Sequence, residues 1–230
     1  MKATNSLKVK SVLAILLVTA QVTAQLVFAP VNVLAAQVAE PALPDGITLA
    51  GQMTQGDAAY LLDNLQHLDD QLPQWWQYVM DTRPFTLSFD DTLAEDGRAA
   101  ITECCDTQGN GLVKFGYHLG QLTNSDDPGS ETVEARRATF LGLLIHELTH
   151  IRDLRAERFP AKTNRKSCIA AERSGLTKQL EVKQDLADKL ASDPTADPAF
   201  RAWLDQQIKT EAADLRSRKF WDFYCGGFDH

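Results

Sequence analysis

The chain has 230 residues, a net charge of −8 and 44% hydrophobic residues, a composition typical of a folded acidic protein. This charge argues against binding to nucleic acids or to anionic membranes, because both need basic patches. No nucleic-acid partner is therefore expected.

The first 36 residues have the organisation of an export signal. Lysines at positions 2, 8 and 10 precede the apolar stretch Ser11–Ala24, and small residues offer cleavage sites at Ala24 and Ala35. We predict a signal peptide over residues 1–36, cleaved between 24 and 36, and a secreted or periplasmic protein. The alternative is an uncleaved anchor, but Pro30 and polar residues interrupt the apolar run. No stable membrane span is therefore expected after cleavage.

Residues 37–230 are enough for a single domain. Because residues 1–36 carry three lysines and no acid, removing them changes the net charge from −8 to −11. After an extended lead-in over 37–56, apolar spacing predicts helices over 57–68 and from Pro73. Three strands follow, and then three helices. The predicted strands are Phe85–Phe89, Ala99–Cys105 and Leu112–Leu119, and the helices are the one containing Ala138–Asp153, then Asn164–Leu190 and Ala199–Trp221. This order predicts an α+β fold, a mainly helical single domain with a small antiparallel sheet before the helix of residues 138–153.

That helix contains the motif H-E-x-x-H, formed by His146, Glu147 and His150. Histidines four residues apart share one helix face, where neutral imidazoles can take two corners of a tetrahedral zinc site. Glu147 lies about 100° around the helix, where it can accept a proton from a water on the metal. The alternative is a chance match whose histidines only bond their neighbours. Burying these polar groups is costly without partners, which favours zinc.

Two histidines need a third protein ligand, and Glu172 is the best-placed candidate. Metzincins have a third histidine six residues after the motif, but here that position is Ala156, which has no ligand atom. Glu172 lies 22 residues after His150 on the next predicted helix, beyond a turn at Pro160–Asn164. Gly175, one turn further on, leaves room for close helix packing.

In these residues the chain resembles the gluzincin-type zinc metallopeptidases, here of an exported bacterial type, which combine H-E-x-x-H with a glutamate on a later helix. The resemblance covers roughly residues 110–190. It implies a zincin-like fold for residues 37–230, Zn²⁺ bound by His146, His150 and Glu172, and Glu147 as the general base. It also implies that the strand Leu112–Leu119 holds an extended peptide substrate.

Some positions depart from the gluzincin pattern or stay open. Leu176 stands where many gluzincins have an acidic residue that orients a histidine. Asp153 is a candidate for that supporting role, with a solvated surface acid as the alternative. Glu181 is the second candidate for the third metal ligand.

The expected activity is hydrolysis of peptide bonds in a peptide or protein substrate. An oxyanion donor is also needed, and the candidates are Tyr117, His118, Tyr224 and His230. The alternatives are an exported zinc-binding or interaction domain without turnover, and a zinc hydrolase that does not act on peptides.

The four cysteines of this exported chain predict two disulfide bonds. A bond between the neighbours Cys104 and Cys105 would be strained, so we expect each to pair with Cys168 or Cys225. One bond would then tie the helix of Glu172 to the sheet, and the other would anchor the C-terminal tail.

Overall fold

Seven α-helices and a four-stranded sheet form the described part of the computed structural model, which is residues 42–95, 98–121, 132–158 and 164–228. The predicted signal segment lies outside these residues. The strands are β1 (Ile47–Gly51), β2 (Phe85–Phe89), β3 (Ala100–Glu103) and β4 (Gly111–Phe115). The helices are α1 (Gln55–Gln71), α2 (Pro73–Thr82), α3 (Asp91–Glu95), α4 (Val133–Arg155), α5 (Arg165–Ala191), α6 (Pro198–Arg216) and α7 (Arg218–Tyr224). This arrangement confirms the mainly helical α+β class.

The sheet is mixed, so the prediction of an antiparallel sheet was wrong. Its strand order is β1-β2-β4-β3, in which β2 runs parallel to both β1 and β4, and only β3 is antiparallel to its neighbour. The β3–β4 pair is a hairpin and agrees with the predicted antiparallel pairing. The parallel pairs arise because α1 and α2 form a crossover between β1 and β2, and because α3 and β3 lie between β2 and β4 in the chain.

The motif helix α4 is the central element of the core. Fourteen of its 23 residues are buried, including Phe140, Leu144, Ile145 and Leu148, which are all fully buried. Each such side chain contributes about 1.5–3 kcal/mol by leaving water. Among the other elements, α4 packs most extensively against α5. The residues of the motif are therefore carried by a helix that is packed into the core.

Asp57 connects the start of α1 to the segment after β4. With Thr54 it forms a capping box at the helix N-terminus. The Asp57 carboxylate accepts the Thr54 backbone N–H, and the Thr54 hydroxyl oxygen accepts the Asp57 backbone N–H. The same carboxylate accepts the Leu119 backbone N–H at 2.7 Å and bonds the Nδ1 atom of His118 at 2.8 Å. Burial raises the pKa of Asp57, but these hydrogen bonds outweigh it and hold the pKa below its usual value. Asp57 is thus a structural acid.

The C-terminal helices begin and end at capping residues. Asn164 caps α5 through a capping box with Ser167, and the predicted turn before it lies mostly outside the described residues. The single helix predicted over 199–221 is two helices, because the Ser217 backbone is extended and its hydroxyl accepts the Phe220 N–H at 3.2 Å. This break allows α7 to turn and pack back along α5.

The disulfide bonds join Cys168 to Cys225 and Cys104 to Cys105, so the predicted pairing was wrong. Because α7 lies along α5, the Cα atoms of Cys168 and Cys225 are 5.9 Å apart. Cys104 lies instead beside α4, with its sulfur 3.9 Å from the carbonyl oxygen of Ile151. The first bond therefore ties the tail to α5, and none of the described cysteines ties α5 to the sheet.

Disulfide bonds of this kind indicate an oxidising environment, which agrees with export. Within the described residues, no helix has the length and apolar character needed to cross a membrane.

Candidate metal centre

His146 and His150 lie one turn apart on α4, with their imidazoles facing α5. Both side chains are buried, and their ring centroids are 4.8 Å apart. The Nε2 atom of each ring points to Glu172 of α5, at 3.1 Å from Oε2 for His146 and 3.7 Å for His150. The two helices thus bring the three predicted ligands together.

These three residues lie close enough to share one metal ion. Bonds of about 2.0–2.1 Å from zinc place neighbouring ligand atoms about 3.3–3.4 Å apart, close to both distances from Glu172. One ligand atom from each residue lies within 4.8 Å of the others. With two imidazoles and one carboxylate, the donor set suits Zn²⁺ or a similar divalent transition metal. The group could therefore hold a metal ion.

The charge of the cluster supports metal binding as well. Burial raises the pKa of Glu172, but the hydrogen bond from His146 and the nearby imidazole of His150 outweigh this effect and hold the pKa far below its usual range. Glu172 is therefore ionised, and a carboxylate is the form that ligates a metal.

Gly175 makes room for His146. A methyl group built on Gly175 would lie 2.7 Å from Nε2 of His146 and 2.8 Å from Cδ2, well inside contact distance. A side chain at this position would push the imidazole away from Glu172. The close helix packing expected at Gly175 is thus confirmed, and its function is to admit a ring.

Glu147 is buried and is oriented by the sheet. Its carboxylate Oε2 accepts a hydrogen bond from the Thr102 hydroxyl at 2.7 Å, and its backbone carbonyl lies 3.0 Å from the same hydroxyl. Thr102 belongs to β3, which packs on α4. Thr102 is not predictable from the sequence, because no local pattern indicates which strand residue will face the helix.

A cavity of about 770 Å³ opens over this cluster. His146, Glu147 and Glu172 line it together with the polar side chains of Arg98 and Gln179. Residues in and just before β3, and on α4, α5 and α7, form the walls. These include Ala100, Ile101, Thr102, Leu176, Phe220, Phe223 and Tyr224. Phe223 is 88% exposed, so its ring is accessible to a ligand in the cavity.

Of the four predicted oxyanion donors, the structure places Tyr224 at this cavity. Partial burial raises the pKa of the Tyr224 hydroxyl, and the charges of Glu172 and Glu147 and a hydrogen bond to Glu172 raise it further. The hydroxyl therefore stays protonated at neutral pH. His118 is bound to Asp57 and stacked on Phe89.

The other candidates stand elsewhere. Tyr117 is exposed and is not among the residues that line this cavity. His230 lies outside the described residues. Glu181 points to the surface and pairs with Lys178 at 2.5 Å, so it lies apart from the two histidines. Asp153 is buried and pairs with Arg158 at 3.4 Å. It is therefore not the solvated surface acid that was the alternative for this position.

The wall formed by α7 is fixed to one face of α5. The Cys168–Cys225 disulfide forms the covalent link, and Arg165 pairs with Asp222 close by. Cys168 and Glu172 are one turn apart on α5, so the disulfide lies beside this candidate metal ligand. Since Tyr224 precedes Cys225, the bond holds its hydroxyl near Glu172.

The peptide-binding strand expected at Leu112–Leu119 is not available. This segment contains β4, which is paired with β2 on one side and with β3 on the other. The edge strands of the sheet are β1 and β3, and it is residues of β3 that line the cavity.

Comparisons of the chain with protein-family models, curated proteins and solved structures gave no match.

Proposed function

We propose that this protein is a zinc-dependent hydrolase that cleaves peptide bonds, a metallopeptidase of the gluzincin type. The observation that carries the proposal is a cluster of four buried groups, three of which (His146, Glu147 and Glu172) line one open cavity. His146, His150 and Glu172 supply the ligand set, and Glu147 stands beside them on the same helix. A structural zinc site would have four protein ligands, whereas three ligands beside an open cavity are typical of catalytic sites.

A bound zinc ion would supply a Lewis acid and a more acidic water at neutral pH. The remaining chemistry belongs to the residues of the chain. Glu147 is oriented by Thr102 and accepts the proton of the attacking water, and it then donates the proton to the leaving amine. This task needs a carboxylate at a fixed position, which the hydrogen bond at 2.7 Å provides.

Tyr224 is the proposed oxyanion donor. Its hydroxyl lies near Glu172 and Glu147 and remains protonated, so it can donate a hydrogen bond to the carbonyl oxygen as negative charge develops there. The disulfide at Cys225 keeps this donor at the site.

The substrate is proposed to lie along β3. An unpaired strand edge offers backbone N–H and C=O groups to an extended peptide, and β3 is such an edge. Phe220 and Phe223 on the opposite wall suit a bulky apolar side chain of the peptide. The cavity volume of about 770 Å³ is large enough for a few peptide residues.

The proposal is tested with purified protein, an unfolded protein as substrate, and measurement of bound zinc. We expect about one zinc ion per chain and cleavage that stops when the metal is chelated. Glu147→Gln should retain zinc and lower the rate by about 10²–10⁴-fold, because it removes the base and spares the ligands. The matched control is Glu181→Gln, which removes the same charge from an exposed site and should leave the rate unchanged.

Two results would contradict the proposal. Zinc binding without cleavage of any peptide substrate would indicate a binding module. Cleavage that persists in Glu147→Gln would reject the assigned base.

A further inference from the structure

A second cavity, of about 790 Å³, lies between the start of α5 and the junction of α6 with α7. Five of the ten residues around it are basic and one is acidic. The basic residues are Arg165, Lys166, Arg173, Arg216 and Arg218. Lysine and arginine make up 23 of the 230 residues in the chain, so ten residues taken at random would include about one. This concentration stands out in a protein whose net charge is −8.

The single acid, Asp222, does not neutralise the cavity. It contacts Arg165 and lies 3.8 Å from the guanidinium of Arg218, so it is shared between two arginines. No ion pair in residues 42–95, 98–121, 132–158 and 164–228 involves Lys166 or Arg216, and both are exposed at the cavity mouth. The cavity therefore keeps an excess of positive charge.

The wall of the cavity is apolar and rigid. Trp221 is buried, and its indole N–H donates to the Leu215 carbonyl at 3.2 Å. The guanidinium of Arg173 lies over this ring, 5.4 Å from its centroid, which fixes a cation against the wall. Ile169 and Ala170 complete the apolar part. A ligand could thus place a carbon body on this wall and its charged oxygens against the arginines.

We propose that this cavity is a binding site for a ligand with clustered negative oxygens, such as a phosphate group or neighbouring carboxylates, on an apolar body. Arginine is suited to both groups because its planar fork donates two parallel hydrogen bonds to paired oxygens. The proposal does not depend on the proposed hydrolase activity. Trp221 also lines the cavity over His146 and Glu172. A ligand bound here would therefore contact a residue that the two cavities share.

The test is a titration of the full chain followed by ¹H–¹⁵N NMR, with the indole signal of Trp221 as a local reporter. Inorganic phosphate and a triglutamate peptide serve as the two probes, and a Trp221→Phe variant assigns the signal among the four tryptophans. We expect saturable shifts of this signal with at least one probe, and weaker binding as salt is raised. The probe that binds identifies phosphate or carboxylate as the source of the charge.

Charge variants locate the site. Lys166→Gln combined with Arg216→Gln removes two cavity cations and should weaken binding by about tenfold or more. Lys189→Gln combined with Lys209→Gln removes the same charge from exposed positions away from the cavity, and should weaken binding less than about twofold. The proposal is overturned if neither probe gives a saturable shift, or if both pairs of substitutions weaken binding equally.

Discussion

Two buried clusters in this protein combine a carboxylate with histidine, and they differ in what else the carboxylate binds. Asp57 accepts the backbone N–H groups of Thr54, at the start of α1, and of Leu119. His118 is one further partner of the same carboxylate. Glu172 faces two imidazoles and a tyrosine hydroxyl, all on side chains. Backbone donors fix a carboxylate as part of the fold, whereas converging imidazoles leave a position that a cation can take.

The difference extends to the surroundings of each cluster. The Asp57 cluster closes the end of α1, and the His118 ring stacks on Phe89 at 4.3 Å between centroids. The Glu172 cluster lies at the wall of a cavity with an exposed aromatic side chain at its rim. A buried histidine–carboxylate pair is thus informative about function only when it faces open space.

The largest expected effect is the loss of metal from Glu172→Ala. Removing one of three ligands should weaken zinc binding by about a thousandfold or more, because the remaining two histidines cannot complete the site. Competition with a coloured chelator measures the affinity. Glu181→Ala is the matched control, since this acid lies on the same helix and pairs with Lys178. Loss of zinc from Glu181→Ala with full retention in Glu172→Ala would reject the ligand assignment.

Asp57→Ala should act on stability and leave zinc binding unchanged. It removes the capping box of α1 and leaves the Leu119 N–H without its acceptor, so we expect a loss of about 2–4 kcal/mol. Urea unfolding measures the change in the free energy of unfolding. A zinc affinity that falls together with stability would show that the two clusters are coupled.

The pH dependence of stability gives a second test of Asp57. Because folding lowers the pKa of this carboxyl from its ordinary value of 3.8, its contribution is fully present above that pH and is lost as the pH falls through the lower, folded-state value. Asp57→Asn should therefore lose less stability than the wild type on going from pH 6 to pH 3, as measured by the free energy of unfolding.

Much of the metal cluster could be predicted from the sequence, because helical spacing alone puts His146 and His150 on one face. Glu172 followed from the length of the connection to the next helix. The contact between Thr102 and Glu147 and the link between Cys168 and Cys225 could not be predicted in the same way. They depend on how elements distant in the chain pack, and no local periodicity carries that information.

The fold shows the same limit. Strand β1 was missed because the apolar alternation of Ile47 and Leu49 stops at Ala50 and Gly51, which is too short a pattern to predict a strand. The parallel pairing was missed because the hairpin of β3 and β4 suggested antiparallel neighbours throughout. The direction in which two strands pair depends on the helical crossovers between them. A sequence pattern indicates a single strand and contains no information about its neighbours in the sheet.

Gly175→Ala tests how closely the metal cluster is packed. The added methyl group would lie 2.7 Å from Nε2 of His146, so the ring must move and zinc binding should weaken by about 10–100-fold. Alanine also favours the helix by about 1 kcal/mol, so stability should change less than metal affinity. Gly142→Ala is the control, because its methyl group would meet the Lys183 side chain instead. Equal zinc affinity in the wild type and Gly175→Ala would show that the ring has room to spare.

The smallest expected effect is on turnover in Tyr224→Phe. Removing the hydroxyl takes away the proposed oxyanion donor and leaves the ring on the cavity wall, so kcat should fall by about tenfold. KM and bound zinc should stay near their wild-type values, because the hydroxyl acts on the charge that develops during the reaction. Tyr117→Phe is the matched control, since it removes the same group from an exposed ring outside the cavity. A Tyr224→Phe enzyme with unchanged kcat, or with a higher KM alone, would make this tyrosine a part of the wall and leave the donor to another residue.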